Sequence, residues 1–198
     1  MHILFLDLAS HDALIACCTD ESVVAFESVH ARISDAELIP MVESVLQKAG
    51  WTYEDLTHIA CIVGPGGFTS LRVAVTYVNV LADQLGIPSA GVHLSDLYRE
   101  RAKSLKLKAE IYWLHSTKKD QLFICGGKWQ EPTLITLDEL RMTNDELQRW
   151  CGELIEEHHD IVHCDSIPLK PVTDVLPALL AAQTFEKKLL TPWYGRGW

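Results

Sequence analysis

The hydrophobic period of this chain changes once near its start, and that change limits the possible folds more than any other feature. Met1–Leu8, Ala13–Thr19 and Ser22–His30 are apolar, β-branched or aromatic runs separated by short polar connections, the pattern of an antiparallel meander. At Ser34-Asp35-Ala36-Glu37 the pattern becomes that of a helix start. The Ser34 hydroxyl and the Glu37 carboxylate form a capping box, and Leu38, Met41, Val42, Val45 and Ala49 follow at helical spacing up to Gly50. Pro40 falls inside this helix, where it costs a hydrogen bond and bends the axis. Ile59–Val63 then reads as a fourth strand, about Thr69 to Leu85 as a second helix, Ile87–Val92 as a fifth strand and about Leu94 to Ser104 as a third helix. The order β-β-β-α-β-α-β-α builds a layered α/β domain.

The second helix has an unusual composition. Arg72, Thr76, Asn79 and Asp83 form one narrow polar stripe, and apolar residues cover the remaining faces. A helix apolar on so many sides is packed on more than one of them, which predicts a second apolar neighbour beyond its own sheet.

After Leu105 the signals weaken. Glu110–Leu114, Gln121–Cys125 and Thr133–Thr136 read as strands, Thr143-Asn144-Asp145-Glu146 as a capping box, and Leu147, Trp150, Cys151, Leu154 and Ile155 as one face of the helix it opens. Asp160–Cys164 reads as a strand and Asp174 to about Gln183 as a helix. The division is therefore into an N-terminal lobe, residues 1–105, carrying the partner surface, and a smaller divergent lobe with a C-terminal tail, residues 106–198. The Trp-rich tail, with Arg196 and Trp198, is expected to pack back on its own lobe.

Composition removes several function classes. A formal charge of -10 repels phosphate backbones, so this chain is not expected to hold nucleic acid alone. Six cysteines without a Cys-x-x-Cys pair read as small core residues in a reducing compartment. No window of about 18 uncharged apolar residues occurs, so a membrane span is not expected; the expected location is the cytoplasm. His159 and His163 have helix-chelating spacing, but a strand there would hold them about 13 Å apart, so no metal site is expected. Ser10, His11 and Asp12 are adjacent and face different ways, which gives no triad.

The most informative stretch is Gly64-Pro65-Gly66-Gly67-Phe68-Thr69-Ser70-Leu71-Arg72, a glycine-rich turn opening on a helix N-terminus. Such a turn either receives an anion or is simply a tight strand-to-helix connection. With Leu56-Thr57-His58-Ile59-Ala60 before it, Leu85-Gly86-Ile87-Pro88 and Gly91-Val92 after it, Asp7 ending the first strand, Leu38-Ile39-Pro40-Met41, and Thr191-Pro192-Trp193-Tyr194-Gly195-Arg196 at the end, the chain resembles the TsaB (YeaZ) family. The resemblance covers Met1 to about Val92 well and is loose beyond. It implies an actin-like fold of the sugar kinase and Hsp70 superfamily, with ribonuclease H-like lobes of which the second is reduced.

The resemblance also implies a function. Members are non-catalytic subunits that pair with a TsaD-like catalytic subunit, with a TsaE-like ATPase in the assembly, to make N6-threonylcarbamoyladenosine next to the anticodon of tRNA. The partner surface is then expected on the first two helices, at Leu38, Met41, Val42, Val45, Val75, Val78, Asn79 and Ala82. A homodimer through the same face is expected when the partner is absent, and tRNA is met only through the complex. An Asp at Val75 or Val78 is expected to leave a folded chain that cannot pair.

No catalytic residue and no metal are expected on this chain, and no cofactor bound by it alone; ATP and a metal belong to the partner subunits. Departures from the family pattern, Leu8-Ala9-Ser10 after the aspartate, Ser70, and His115-Ser116-Thr117-Lys118-Lys119, weaken a nucleotide site. Asp7 then remains as a degenerate phosphate-hairpin position, satisfied by backbone N–H groups. The alternatives are an enzyme of the same superfamily, a small-molecule kinase or peptidase-like protein, and a stand-alone structural or regulatory homodimer.

Overall fold

Ile3–Asp7 (β1) and Ala13–Cys18 (β2) are buried at every residue, the burial of strands in the middle of a sheet covered on both faces. Val23–Val29 (β3) alternates between half-buried and exposed residues, as an edge strand does. The computed structural model describes residues 1–30, 33–103 and 110–195. The expected lobe boundary at Leu105 and the tail residues Arg196 and Trp198 lie outside them.

Asp35–Ala49 (α1) runs through Pro40 and ends on Gly50, whose φ of 72° supplies the left-handed turn that glycine adopts without strain. At its start the Glu37 carboxylate accepts the Ser34 N–H at 2.9 Å and the Ser34 hydroxyl at 2.6 Å. The expected capping box of Ser34 and Glu37 is thus present at the helix start. His58–Gly64 (β4), Phe68–Leu85 (α2), Ser89–His93 (β5) and Leu94–Ala102 (α3) follow. The sheet order is β3-β2-β1-β4-β5, with β1 antiparallel to β2 and parallel to β4, and β4 parallel to β5.

The side-chain period of two sorts the core. Leu4, Leu6, Ile15, Cys17, Ile59 and Cys61 share one face and pack with Leu38, Val42 and Val45 of α1 and with Ala74, Val75, Val78 and Ala82 of α2. Burial of this kind is worth about 1.5–3 kcal/mol per large aliphatic side chain. Val172–Ala181 (α6) approaches the same sheet at β3.

The second sheet repeats the plan of the first. Ile111–Ser116 (β6), Gln121–Gly126 (β7) and Trp129–Thr136 (β8) form an antiparallel meander, and Arg149–Glu153 (β9) lies parallel to β6, giving the order β8-β7-β6-β9. The crossover is the short helix Leu137–Thr143 (α4), opened by a cap in which the Thr136 hydroxyl accepts from the Glu139 N–H at 3.3 Å while the Glu139 carboxylate accepts the Thr136 N–H at 2.7 Å.

Three expectations for this half are corrected. Leu147–Ile155 is not a helix, because its centre is β9: Trp150 and Cys151 are adjacent and both buried, one on each face of a covered strand. Thr143 does not cap, since its hydroxyl donates to the carbonyls of Glu139 and Leu140. Asp160–Cys164 is not a strand. It follows the single turn Glu156–His159 (α5) and is held by Asn144, whose side-chain NH2 donates to Ile161 O at 2.8 Å and whose Oδ1 accepts from His163 N–H at 3.2 Å.

The chain divides into two units, one made of Met1–Leu97 with Val172–Tyr194 and the other containing Tyr98–Pro171. The expected second lobe of residues 106–198 is therefore corrected: α6 and the segment to Tyr194 return to the first unit. Among the described residues no helix is long and apolar enough to cross a membrane.

Candidate functional site

The register of α2 decides which of its residues a partner can reach. Leu71, Ala74, Val75, Val78 and Ala82 recur at helical spacing and are buried against the unit's own sheet. Val73, Tyr77 and Val80, at i, i+4 and i+7, form a second apolar stripe, in which Val73 and Tyr77 are half-buried at the edge of the core and Val80 is exposed. Most of the expected interface is thereby corrected. Leu38, Val42 and Val45 of α1 and Val75, Val78 and Ala82 of α2 are core residues, so an Asp at Val75 or Val78 breaks the fold rather than the pairing. Met41 is half-buried against the same core. Asn79 is engaged by the chain itself: its side-chain NH2 donates to Leu190 O at 3.0 Å and its Oδ1 accepts from Leu190 N–H at 2.8 Å.

The accessible face is a groove between α1 and α2 of about 430 Å³, lined by Leu38, Ile39, Arg72, Val73, Thr76, Tyr77 and Val80. Ile39 is 50% exposed, Val80 58% and the neighbouring Phe68 53%, three large apolar side chains in water on one side of the unit. Tyr77 is fixed by its hydroxyl, 3.3 Å from that of Tyr53, and burial pushes its ionisation well above the usual phenol range. The excess of apolar faces on α2 is visible in the sequence, and the i, i+4, i+7 recurrence of Val73, Tyr77 and Val80 is the signal that marks this stripe.

The glycine-rich turn is packed by its own chain. A Cβ at Gly64, whose φ is 146°, would lie 2.0 Å from the Trp193 carbonyl oxygen, and one at Gly66 would lie 2.7 Å from the Ala9 Cβ. Pro65 is buried between them and Gly67 caps α2. Glycine at 64 and 66 is thus explained by close approach of the tail and of the loop after β1. Trp193 N–H donates to Val63 O at 2.7 Å, and the Trp193 ring meets His93 edge-on at 4.6 Å. Next to it the Tyr194 ring lies 4.8 Å from that of Phe68, and the Tyr194 hydroxyl accepts from Arg72 Nε at 3.3 Å. Thr69 is exposed in the first turn of α2. The stretch up to Tyr194 packs on the first unit, not on the second as expected.

Asp7 is buried and its carboxylate serves the turn that follows β1. Oδ1 accepts from Ala9 N–H at 2.9 Å and Ser10 N–H at 3.0 Å, and Oδ2 from the Ser10 hydroxyl at 2.6 Å. The Cys61 thiol is pushed up by burial and further by the Asp7 charge. Burial alone raises Cys17 to about 12, and burial chiefly raises Cys18 and Cys151 to about 12, which keeps these thiols protonated and unreactive. His159 ends α5, so the strand spacing that separated it from His163 does not apply; its ring packs edge-on against Trp150. Among the described residues no group of three or more His, Cys, Asp or Glu stands together as a metal site. The pair Ser116–His158 is a closed structural contact: the hydroxyl lies 2.7 Å from Nδ1, and Nε2 lies 3.0 Å from Lys119 O, with both side chains buried.

Comparison with known proteins follows the same lines. The family model described as TsaD, tRNA N6-adenosine threonylcarbamoyltransferase, matches residues 28–140, more than half of the chain. The tRNA threonylcarbamoyladenosine biosynthesis protein TsaB of Escherichia coli (strain K12) is 25% identical over 166 residues, which is 78% of this chain and 70% of that protein. A tRNA N6-adenosine threonylcarbamoyltransferase of Legionella pneumophila (strain Corby) is 28% identical over 120 residues, 61% of this chain but only 34% of that protein. A Pseudomonas aeruginosa protein described as similar to the peptidase YeaZ superposes with a TM-score of 0.74 at 18% identity, covering 98% of this chain and 99% of its own, and so shares the fold. The chain is similar over 78% and 89% of its length to the TsaB proteins of Escherichia coli (strain K12) and Bacillus subtilis (strain 168), and it belongs to the family described as TsaD, tRNA N6-adenosine threonylcarbamoyltransferase.

Proposed function

We propose that this chain is a non-catalytic subunit of the assembly that makes N6-threonylcarbamoyladenosine next to the anticodon of tRNA. In this reading it pairs with a TsaD-like catalytic subunit through the α1–α2 groove, with a TsaE-like ATPase in the same assembly. The observation that carries it is the groove, where the exposed Ile39 and Val80 flank the half-buried Val73 and Tyr77. Patches of this kind mark protein partners. The family match and the TsaB relatives, named for tRNA threonylcarbamoyladenosine biosynthesis, supply the identity of the pathway.

The non-catalytic role is supported by what the chain does with its reactive groups. The Asp7 carboxylate serves its own turn, and Cys17, Cys18, Cys61 and Cys151 are held protonated by burial. ATP and a metal are assigned to the partners, and tRNA to the complex, since the charge of -10 opposes direct binding. Alone, the chain covers the groove with a second copy.

The test is co-expression with the TsaD-like protein of the same cell and measurement of the complex mass by light scattering. The wild-type chain is expected to form a stoichiometric complex, and Val80→Asp to fold with an unchanged melting temperature and elute alone. A folded Val80→Asp chain that still pairs fully contradicts the groove as the contact.

A further inference from the structure

Arg72 is held in an unusual way for an exposed arginine. Its guanidinium carbon lies 3.9 Å from the centroid of the Phe68 ring, and its Nε donates to the Tyr194 hydroxyl at 3.3 Å. Tyr194 in turn lies against Phe68. A guanidinium has five N–H donors in one plane, and this arrangement engages the ring face and the single Nε–H. Among the described residues the terminal NH2 groups of Arg72 donate no hydrogen bond and make no ion pair beside this contact.

The same residue lines the apolar groove, and among the described residues that do so it carries the only charge. The chain as a whole carries a charge of -10, so this cation at the end of an apolar trough is a local reversal of sign.

We propose that Arg72 is the residue that selects the partner's register: the segment seated in the α1–α2 groove is an amphipathic helix carrying a carboxylate, which the two free NH2 groups of Arg72 receive as a bidentate pair. Phe68 and Tyr194 are positioning residues for this contact. They hold the guanidinium plane before the partner arrives, which lowers the ordering cost of a long flexible side chain and leaves the forked geometry that matches a carboxylate. The C-terminal segment therefore contributes to pairing through Arg72, although it lies outside the groove. The inference rests on the reading of the groove as the contact with a TsaD-like subunit.

The experiment is calorimetric titration of the purified TsaD-like protein of the same cell into wild-type, Arg72→Ala, Arg72→Lys, Tyr194→Phe and Val80→Asp chains, each at low and high salt. Arg72→Ala is expected to weaken binding by about tenfold or more, and Arg72→Lys by nearly as much because the fork is lost. Tyr194→Phe, which keeps the ring and loses the hydroxyl, is expected to cost about fivefold. Wild-type affinity should fall with added salt, and Arg72→Ala should lose that part of the salt dependence. Equal affinity and equal salt dependence of wild type and Arg72→Ala, with Val80→Asp still defective, overturns the role of Arg72 while leaving the groove intact. Binding unaffected by Val80→Asp overturns the groove and this inference together. All of these residues are exposed or half-buried, and unchanged melting temperatures separate lost contact from lost fold.

Discussion

The two units use the same opening and diverge where the chain leaves it. Each begins with a three-stranded antiparallel meander, crosses over through a helix, and returns to lay a strand parallel to the first, giving β3-β2-β1-β4 in one and β8-β7-β6-β9 in the other. In the first unit the crossover helix has 15 residues, and α2 and β5 follow, so the sheet gains a fifth strand and a pair of long helices side by side. In the second the crossover helix has 7 residues and the helix after β9 only 4. Among the described residues, a helix pair long enough to carry both a buried and a partly exposed apolar stripe exists only in the first. The comparison teaches that the repeated plan accounts for the fold, and the extension after β4 accounts for the groove proposed as the docking face.

Several measurements can break or sharpen this comparison. The largest effect is expected at Val78, on the sheet side of α2: Val78→Asp buries an unpaired charge and should cost more than about 4 kcal/mol, seen as loss of soluble folded protein. Tolerance of that change would show that the two stripes of α2 have been assigned in reverse.

Gly64 and Gly152 test the equivalence of the units, since they lie in the two parallel strands β4 and β9 with φ of 146° and 126°. A Cβ at Gly152 would fall 1.9 Å from the Leu114 carbonyl oxygen in the neighbouring strand, whereas at Gly64 it meets Trp193 in the tail. Gly152→Ala should therefore destabilise the second sheet by roughly 3 kcal/mol in urea unfolding. Gly64→Ala should release the tail, read as faster amide exchange at Trp193. The reverse assignment of these two outcomes would contradict the packing described.

Thiol labelling gives a smaller effect. Cys17, Cys18 and Cys151 are held near 12 by burial and Cys61 higher still, while Cys164 is half-buried and raised less. At pH 8 in native buffer Cys164 is expected to react with iodoacetamide first, and mass spectrometry of digests should show Cys17, Cys18 and Cys61 last.

The smallest effect is the acid dependence of Glu27, which joins β3 to α1. Its carboxyl is held below the usual range by the Lys48 ammonium at 2.6 Å and then by the Ser44 hydroxyl. A depressed folded value means that the contribution is present above the unfolded value of about 4.3 and is lost as the pH falls through the folded one. Glu27→Gln should flatten the acid limb of a stability profile below about pH 4.3; an identical limb would show that the pair contributes nothing there.

Much of the first unit was legible because its elements satisfy local rules. Ile3–Asp7 and Ala13–Cys18 are unbroken apolar runs, Ser34 and Glu37 mark a helix start, and Gly50 and Gly86 end α1 and α2 in the left-handed conformation. The second unit misled where buried neighbours mimic a helical face, as Trp150 and Cys151 do on a strand covered on both sides. There two Thr-x-x-Glu patterns occur close together, and it is Thr136 with Glu139 that caps a helix while Thr143 makes no cap. The site was half legible: the excess of apolar faces on α2 was visible, but which stripe met the sheet depended on packing. The role of the polar stripe depended on contacts no local pattern reveals, since Asn79 binds Leu190 at a separation of 111 residues and Arg72 binds Tyr194 at 122.

Oxidative footprinting of the chain with and without its TsaD-like partner tests the central claim most directly. Phe68 and Tyr77 border the groove, and Met142, 83% exposed on α4 of the second unit, serves as an internal reference. Addition of the partner is predicted to suppress oxidation of Phe68 and Tyr77 and to leave Met142 unchanged. Protection of Met142, or of the exposed edge residues Val24 and Phe26, with Phe68 and Tyr77 still reactive would contradict the account.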